Sequence, residues 1–425
     1  MSIEFPTENR CHNIKLGKEV CVITNGCPEN RIDGARAQEF FRQNGWVVSS
    51  DFRDADIILF NACALTQYNQ ERSIEMINRI KARKKPSAVL IVWGCLPKIN
   101  IKRLREVYQG PTFGSDEVAR LNELFEHNTR AEDIHANYLL PLTTPNKYKC
   151  SALSIRENGV LVTLTKLLTM GYWRRPIKAI HSCTPQTFCI KISTGCLAAC
   201  SYCAVRFSRG SVKSKPIDAV FRELEEGLER GYKEFSLMGT DIGAYGRDIG
   251  TNLVALLREL LRKKGDYNIR LRNIQPKFLI EMLPELRETF QSGKIDYIIS
   301  AAQSGNNRIL NLMNRGYRIE DFKNAIRTLN REFPEMKIRT QVMVGFPGET
   351  EEEFQDTVWL LDEASFDFVE VYMFQARPGT KAAKMENKIP QKVARRRYRQ
   401  LFMKSVFNEK GRKRKAVKEY NKYHK

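Results

Sequence analysis

Long apolar runs are missing from this chain. No segment stays apolar for the roughly 20 residues that a helix needs to cross a bilayer, and the first ten residues, Met1-Ser-Ile-Glu-Phe-Pro-Thr-Glu-Asn-Arg10, are polar where a secretory leader would be apolar. Cysteine is sparse, 11 in 425 residues, too few for a disulfide-dense secreted scaffold. No Ser/His/Asp constellation or paired-carboxylate pattern stands out. Acidic side chains are in deficit, 49 against 70 Lys and Arg, for a net charge of +21. These shortages set aside membrane-spanning and disulfide-stapled classes. They lead to the expectation of a cytoplasmic protein in a reducing compartment with no membrane partner. The hydrophobic fraction of 42% is ordinary for a globular chain, and the length suffices for two or three cores.

The positive charge is partly local. It concentrates in Lys81-Ala-Arg-Lys-Lys85, Arg395-Arg-Arg-Tyr-Arg399 and Lys410-Gly-Arg-Lys-Arg-Lys415. Such patches attract polyanions, RNA foremost. An acidic peptide is attracted by the same charge, and a solvated basic surface is the plain alternative.

What the chain does contain is a compact cysteine loop. Cys196, Cys200 and Cys203 lie in Thr194-Gly-Cys-Leu-Ala-Ala-Cys-Ser-Tyr-Cys-Ala204. C-x-x-x-C-x-x-C spacing on a glycine-led loop suits three irons of a [4Fe–4S] cluster and leaves the fourth iron open to a substrate or cofactor. Structural zinc is the first alternative, but the loop supplies no fourth Cys or His. Cys189 is the nearest candidate and falls in an expected strand. Burial as small hydrophobes is the other alternative. It suits Cys21, which alternates with apolar neighbours, and extends to Cys11, Cys150, Cys183 and Cys189.

After this loop, helix and strand patterns alternate. Pro216 opens a helix with Ile217, Val220, Phe221, Leu224 and Leu228 on one face, and Leu253, Leu256, Leu257, Leu260 and Leu261 form a second apolar stripe. Strands are expected at 234–238, 268–274, 296–300, 337–344 and 366–374. Further helices are expected near 278–290, 319–329 and 351–363. With the strand leading into the cysteine loop, this makes about six strands. The expected fold class is α/β, here an open partial barrel with its site at the carboxyl ends of the strands. Polar, glycine-bearing runs fall at those ends: Gly239-Thr-Asp-Ile-Gly-Ala-Tyr-Gly246, Gln303-Ser-Gly305, Gly345-Phe-Pro-Gly-Glu-Thr350 and Gln375-Ala-Arg-Pro-Gly-Thr380.

On these residues, the stretch 186–385 resembles the radical S-adenosylmethionine (SAM) domain of the methylthiotransferase family. The triplet with Tyr202 before its last cysteine is similar to the superfamily motif. Arg209-Gly210, Gln303-Ser-Gly305, Met313-Asn-Arg-Gly-Tyr317, Gly345–Thr350 and Arg377-Pro-Gly-Thr380 are similar to the family's own signatures. Gly243-Ala-Tyr-Gly-Arg-Asp-Ile-Gly250 looks most like the branch that modifies threonylcarbamoyladenosine in tRNA.

A second cysteine set lies upstream. Expected strands at 19–24, 55–60 and 88–93 are followed by Asn25-Gly-Cys27, Asn61-Ala-Cys63 and Gly94-Cys95, with helices near 34–43 and 70–81 between them. In a doubly wound α/β domain the residues just past parallel strands gather along one edge. Cys27, Cys63 and Cys95 are therefore candidates for a second cluster. The first hundred or so residues resemble the methylthiotransferase N-terminal domain, whose three cysteines hold an auxiliary [4Fe–4S] cluster. Asn30 and Asn61 look like family positions, with ordinary turn chemistry as the alternative.

The resemblance implies a reaction. SAM chelates the open iron at Cys196, Cys200 and Cys203, and one electron cleaves it to a 5′-deoxyadenosyl radical that removes a hydrogen atom from an unactivated C–H bond. The auxiliary cluster at Cys27, Cys63 and Cys95 supplies sulfur, a second SAM methylates it, and the substrate radical takes the methylthio group. SAM contacts are expected from Tyr202, Gly239, Thr240 and Asp241, with Gln303, Ser304 and Arg315 as further candidates. An electron donor such as flavodoxin or ferredoxin is implied, and a monomer is expected.

The chain departs from the family pattern in places. The family's C-terminal RNA-binding TRAM module is expected to be absent or a remnant, since only a basic helix and tail follow the barrel. Ile299-Ser-Ala-Ala302 stands where a His and a Pro are usual. The expected organisation is an N-terminal doubly wound domain at 1–110, a linker or insertion at 111–185 containing an apolar segment at 160–172, the partial (β/α)6 barrel at 186–388, and a basic helix and tail at 389–425. The substrate expectation is a modified adenosine in tRNA. A protein or ribosomally made peptide is the alternative, and a radical enzyme using its auxiliary cluster for electron transfer a further one.

Overall fold

The structure is a computed structural model that describes residues 19–141 and 186–405. Cys11, Cys150, Cys183, the segment 160–172 and the tail past 405 lie outside the described residues. The chain divides into two compact units. Of the described residues, the first contains 19–141 with two later segments, Ala204–Gly210 and Arg377–Gly379. The second contains 186–203, 211–376 and 380–405.

The first unit is built on β1 (Glu19–Thr24), β2 (Val47–Val48), β3 (Ile57–Ala62), β4 (Val89–Gly94) and β5 (Thr112–Gly114). They form one parallel sheet in the order β2-β1-β3-β4-β5. Successive residues feed opposite faces, as a pleated strand requires. Val20, Val22, Ile57, Leu59, Ile91 and Trp93 enter one core. Cys21, Ile23, Ile58, Phe60, Leu90 and Val92 enter the other. Burial on both faces explains why these strands read as continuous apolar runs. It also makes Cys21 a core hydrophobe, its thiol pushed up to about 12, first by burial and then by Asp51 and Glu19.

Helices Pro28–Gln43 and Gln67–Arg83 connect these strands. The first begins six residues before its apolar pattern suggested, because Pro28 at the first helical position fixes a helical φ while Cys27 caps the end. Both β5 and the helix Arg120–Leu124 fall in the stretch expected to be linker. They are too short to show a periodicity in sequence, and they extend the first unit past residue 110.

The second unit holds β6 (Thr187–Lys191), an antiparallel pair of β7 (Ser193–Thr194) with β8 (Lys213–Ser214), β9 (Glu234–Met238), β10 (Asn268–Leu271), β11 (Ile295–Ile299), β12 (Lys337–Val344) and β13 (Phe368–Met373). The large sheet is six-stranded, parallel and open, in the order β13-β12-β11-β10-β9-β6. Its helix-side core takes Ile190, Phe235, Leu237, Ile269, Leu271, Ile298, Ile338 and Val342 from alternate strand positions. The helix Leu253–Arg262 seals it with Leu253, Leu256, Leu257 and Leu260, each worth roughly 1.5–3 kcal/mol on burial. The helix Glu351–Glu363 starts from a complete capping box between Thr350 and Glu353. A final helix covers 391–405. Among the described residues, no helix is long and apolar enough to cross a membrane.

Candidate active site

The strand order 2-1-3-4-5 puts a topological switch point between β1 and β3, and ligands in such sheets lie beyond the carboxyl ends of the strands at that point. Cys27, Cys63 and Cys95 follow β1, β3 and β4 at that edge. Asn30 Oδ1 accepts from the Cys27 thiol at 3.8 Å and from the Cys95 thiol at 3.5 Å. Cys63 is fixed by its backbone. Its N–H donates to Asn25 Oδ1 at 2.8 Å, and its carbonyl accepts from Ser73 Oγ at 2.6 Å. Gly26, at φ +92°, brings the chain against Cys63; a Cβ there would stand 2.3 Å from the Cys63 Cβ and 2.5 Å from its Sγ. Burial pushes the Cys27 thiol up to about 11, with Glu29 adding to it and Arg209 opposing. Burial raises Cys63 further, with Cys27 and Cys95 as the next causes.

Two arginines stand beside these thiols. Arg209 has a side chain 2% exposed; it donates from Nη2 to Asn30 Oδ1 at 2.6 Å and ion-pairs through Nη1 with Asp33. Burial works against its charge, and Asp33, Cys95, Glu29 and Cys27 outweigh that and keep it protonated. Arg377 donates from Nη2 to the Ala64 carbonyl and to Gln70 Oε1, both at 2.8 Å. Asn61, flagged from sequence with Asn30, donates to the Asn30 carbonyl at 2.9 Å. Both asparagines therefore do more than shape turns. Neither arginine was a sequence candidate for this site. The only signals were the Arg209-Gly210 and Arg377-Pro-Gly-Thr380 motifs.

The donor set suits an iron–sulfur cluster. Burial makes the Cys27 and Cys63 thiols resist ionisation on their own, and a cluster's irons, together with Arg209, supply the positive charge that thiolates need there. Among the described residues, no three or more His, Cys, Asp and Glu side chains close tightly enough to hold a single metal ion.

In the second unit, Cys196, Cys200 and Cys203 occupy the loop after β7. Cys196 Sγ accepts from the Ala198 N–H at 3.3 Å and faces Asp241 Oδ2 at 3.9 Å and Gln275 Nε2 at 4.0 Å. Burial pushes its thiol up to about 12, with Asp241, Cys200 and Cys203 adding to it and the Ala198 N–H opposing. Arg315 Nη1 donates to Cys200 Sγ at 3.3 Å, while its Nη2 holds the Ala301 carbonyl at 2.8 Å. Tyr202 packs against the small cluster of Ile309, Met313, Phe346 and Ala382. Burial raises its phenol, with Arg315 opposing and Cys200 and Cys203 adding.

The other expected SAM contacts divide by position. Gly239 and Thr240 follow β9, and a Cβ on Gly239 would meet Ser193 Oγ at 2.6 Å. Asp241 caps the short 3-10 turn Ile242–Ala244, accepting from Gly243 N–H at 3.1 Å and Gln275 N–H at 3.2 Å. It presents its other oxygen to Cys196, so it is both a cap and a wall of the cysteine site. Burial lifts its carboxyl to about 6, opposed by the Gln275 N–H and Arg315. Gln303 has φ +71°, bonded on both sides to β12, and its Oε1 is buried with no hydrogen-bond partner. A non-glycine residue held there carries roughly 1–3 kcal/mol of strain, a feature concentrated at functional sites. The Ser304 hydroxyl instead contacts Thr357 Oγ1 at 3.4 Å and accepts from the Asn306 N–H at 3.2 Å. Cys189 lies fully buried in β6.

Comparison with known proteins bears on the family and the fold. Residues 190–361 match the radical SAM superfamily, and residues 19–112 match the uncharacterized protein family UPF0004. The chain is 31% identical over 389 residues to the "Probable threonylcarbamoyladenosine tRNA methylthiotransferase" of Pyrococcus abyssi, covering 90% of this chain and 83% of that one. It is 30% identical over 387 residues to the threonylcarbamoyladenosine tRNA methylthiotransferase of Homo sapiens, covering 90% and 62%. It is 27% identical over 411 residues to the tRNA-2-methylthio-N(6)-dimethylallyladenosine synthase of Acetivibrio thermocellus, covering 94% and 79%. Among solved structures, the radical SAM methyltransferase TsrM of Kitasatospora setae, with cobalamin and a [4Fe–4S] cluster bound, shares the fold at a TM-score of 0.57 and 14% identity, covering 86% of this chain and 77% of that one. With two cysteine sites in place and a relative at 31% identity across most of both chains, this chain belongs to the radical SAM methylthiotransferase family, whose enzymes work with SAM and [4Fe–4S] clusters.

Proposed function

We propose that the enzyme installs a methylthio group on a modified adenosine of tRNA, with threonylcarbamoyladenosine as that nucleoside. In this reading Cys196, Cys200 and Cys203 hold one [4Fe–4S] cluster, and Cys27, Cys63 and Cys95 hold a second. When bound, the two clusters and two SAM molecules supply a radical that opens a C–H bond and the sulfur and methyl that replace its hydrogen. The single observation that carries the reading is the pair of three-thiol sites, one with Arg315 on a sulfur and the other with Arg209 on the Asn30 oxygen that two of its thiols share.

The chain's own residues position and shield. Arg315 offsets thiolate charge at Cys200, and Asp241 presents a carboxylate beside Cys196 where the SAM ammonium group has use for one. Tyr202, Gly239, Thr240 and Gln303 complete the SAM contacts in this reading. Ser304 acts through the loop, since its hydroxyl is engaged with Thr357 and Asn306. Arg209 and Asn30 orient the second site. The substrate choice is supported by the relatives named for threonylcarbamoyladenosine and by Gly243–Gly250.

Two measurements test this reading. Iron and sulfide analysis of the reconstituted chain gives about eight irons, as two four-iron clusters require; about four contradicts the two-cluster reading. Nucleosides from cells with and without the gene differ by a methylthio group on threonylcarbamoyladenosine. A methylthio mass shift confined to a peptide contradicts the tRNA reading.

A further inference from the structure

The segment that follows Cys63 leaves two large apolar side chains in solvent. Leu65 is 39% exposed and Tyr68 is 49% exposed. Single exposed apolar residues are common, but these two sit on chain held firmly to the thiol site. The Ser73 hydroxyl donates to the Cys63 carbonyl at 2.6 Å and accepts from Asn25 Nδ2 at 2.9 Å. Arg377 holds the Ala64 carbonyl at 2.8 Å. Thr66 caps the helix Gln67–Arg83, accepting from the Asn69 N–H at 3.1 Å. An apolar residue just before such a cap often packs on the fourth helical residue. Here that residue is Gln70, whose side chain is taken by Arg377 and Asn100. Leu65 therefore has no apolar partner at that position.

Tyr68 and Arg72 are four residues apart on one helix face, and the Arg72 guanidinium stands 5.5 Å from the Tyr68 ring centroid. A ring with a cation beside it suits an unpaired base, because any base stacks on the ring and the cation favours a polyanion. The location points the same way. This helix starts at the carboxyl edge of the parallel sheet, where Cys27, Cys63 and Cys95 lie and where such sheets take ligands. Leu65 is two residues past Cys63, within about 7 Å of it along the chain. An adenosine that takes sulfur from a cluster on Cys63 lies against that cluster, so its neighbours in the RNA lie close to the chain flanking Cys63. Enzymes that act on a base draw it out of its stack, and each neighbouring base then loses a stacking partner.

We propose that Leu65, Tyr68 and Arg72 form a stacking platform for a nucleotide next to the modified adenosine, and so position that adenosine at the site of Cys27, Cys63 and Cys95. This rests on the tRNA reading above. The Tyr68 ring replaces the stacking partner that the neighbouring base loses, Leu65 adds apolar surface, and Arg72 adds positive charge.

The test is equilibrium binding, without turnover, by the reconstituted holoenzyme with SAM under anaerobic conditions. The probe is an anticodon stem-loop RNA bearing threonylcarbamoyladenosine. Tyr68→Ala weakens binding by about tenfold, as expected for one base–aromatic stack. Tyr68→Phe stays within about twofold of the wild type, because stacking needs the ring and not the hydroxyl. The slope of log Kd against log salt is unchanged in both, since no phosphate contact is removed. Equal affinity in all three enzymes overturns the proposal and leaves the patch to a protein partner. So does an equal loss in both variants, which assigns the hydroxyl and not the ring. A second measurement uses the wild-type chain and so does not depend on how a variant folds. Stem-loops carrying 5-iodouridine on one or the other side of the modified adenosine are irradiated in the complex, and mass spectrometry locates the crosslinked residue. A crosslink at Tyr68 from one of the two positions is expected, and its absence from both overturns the proposal. A wild-type enzyme with no measurable affinity for the stem-loop overturns the tRNA reading itself, and this is seen before any variant is made.

Discussion

Arg209 donates to Asn30 Oδ1 at 2.6 Å, and that same oxygen faces the sulfurs of Cys27 and Cys95. One buried hydrogen bond thus ties a guanidinium to two thiols of the N-terminal site. Arg209 is also ion-paired with Asp33, with side chains 2% and 8% exposed. Arg209→Met strands Asp33 in the interior and is expected to destabilise the fold by about 3–5 kcal/mol in urea unfolding. Arg209→Met with Asp33→Leu recovers most of that loss. In a background lacking Cys196, Cys200 and Cys203, comparing this double variant with Asp33→Leu alone isolates the charge of Arg209, the only charge by which the two differ. The remaining cluster becomes harder to reduce, so its midpoint potential by EPR-monitored titration falls. An unchanged potential contradicts a charge role for Arg209.

Gly26 is a backbone requirement of the same site. At φ +92°, with a Cβ placed 2.3 Å from Cys63, Gly26→Ala forces the Cys63 side chain out of position. Iron content is expected to fall from about eight toward about four per chain as one four-iron cluster is lost. The SAM-dependent EPR change of the remaining cluster persists. Full iron in this variant would show that the thiols need no such close approach.

Arg315 bridges Cys200 and the Ala301 carbonyl. Arg315→Met removes charge beside the SAM-cleaving cluster while keeping bulk. SAM binding, followed by the EPR change it induces, weakens by roughly tenfold, as expected for one charge-assisted hydrogen bond. Arg315→Lys restores part of it. Equal SAM affinity in all three enzymes would remove Arg315 from the site.

Glu349, just before the helix Glu351–Glu363, gives a pH signature. Burial lifts its carboxyl to about 7, against the Gly345 N–H and Arg397, which donate to it at 2.8 Å each. The folded chain therefore keeps a proton that the unfolded chain has already released above its ordinary value of 4.5. This contribution to stability is full below that value and is lost as pH rises through about 7. The stability difference between wild type and Glu349→Gln, from urea unfolding of the cluster-free chain, is expected to shift against the wild type between about pH 5 and pH 8. A difference flat with pH contradicts the lifted carboxyl.

Strong local patterns were legible in the sequence. β1, β9, β12 and the helix Glu351–Glu363 appear where their apolar spacing and flanking residues placed them. The cysteine sets were legible for two reasons: Cys196, Cys200 and Cys203 share one loop and show in their spacing, while Cys27, Cys63 and Cys95 each follow a strand, and parallel topology gathers strand ends. Arg209 and Arg377 were not. Their partners lie 176 and 313 residues away in sequence, and no periodicity carries that information. β5 was missed because three residues show no alternation, and its hydrogen bonds come from β4 rather than from its own composition.

The central claim is tested most directly by incubating the reconstituted enzyme anaerobically with SAM, dithionite and tRNA carrying threonylcarbamoyladenosine, then digesting the RNA and weighing its nucleosides. The account predicts a methylthio mass increase on threonylcarbamoyladenosine, absent with Cys200→Ala and absent with Cys63→Ala. A modification that survives the loss of Cys63, or release of 5′-deoxyadenosine with no methylthio group on the nucleoside, would contradict it.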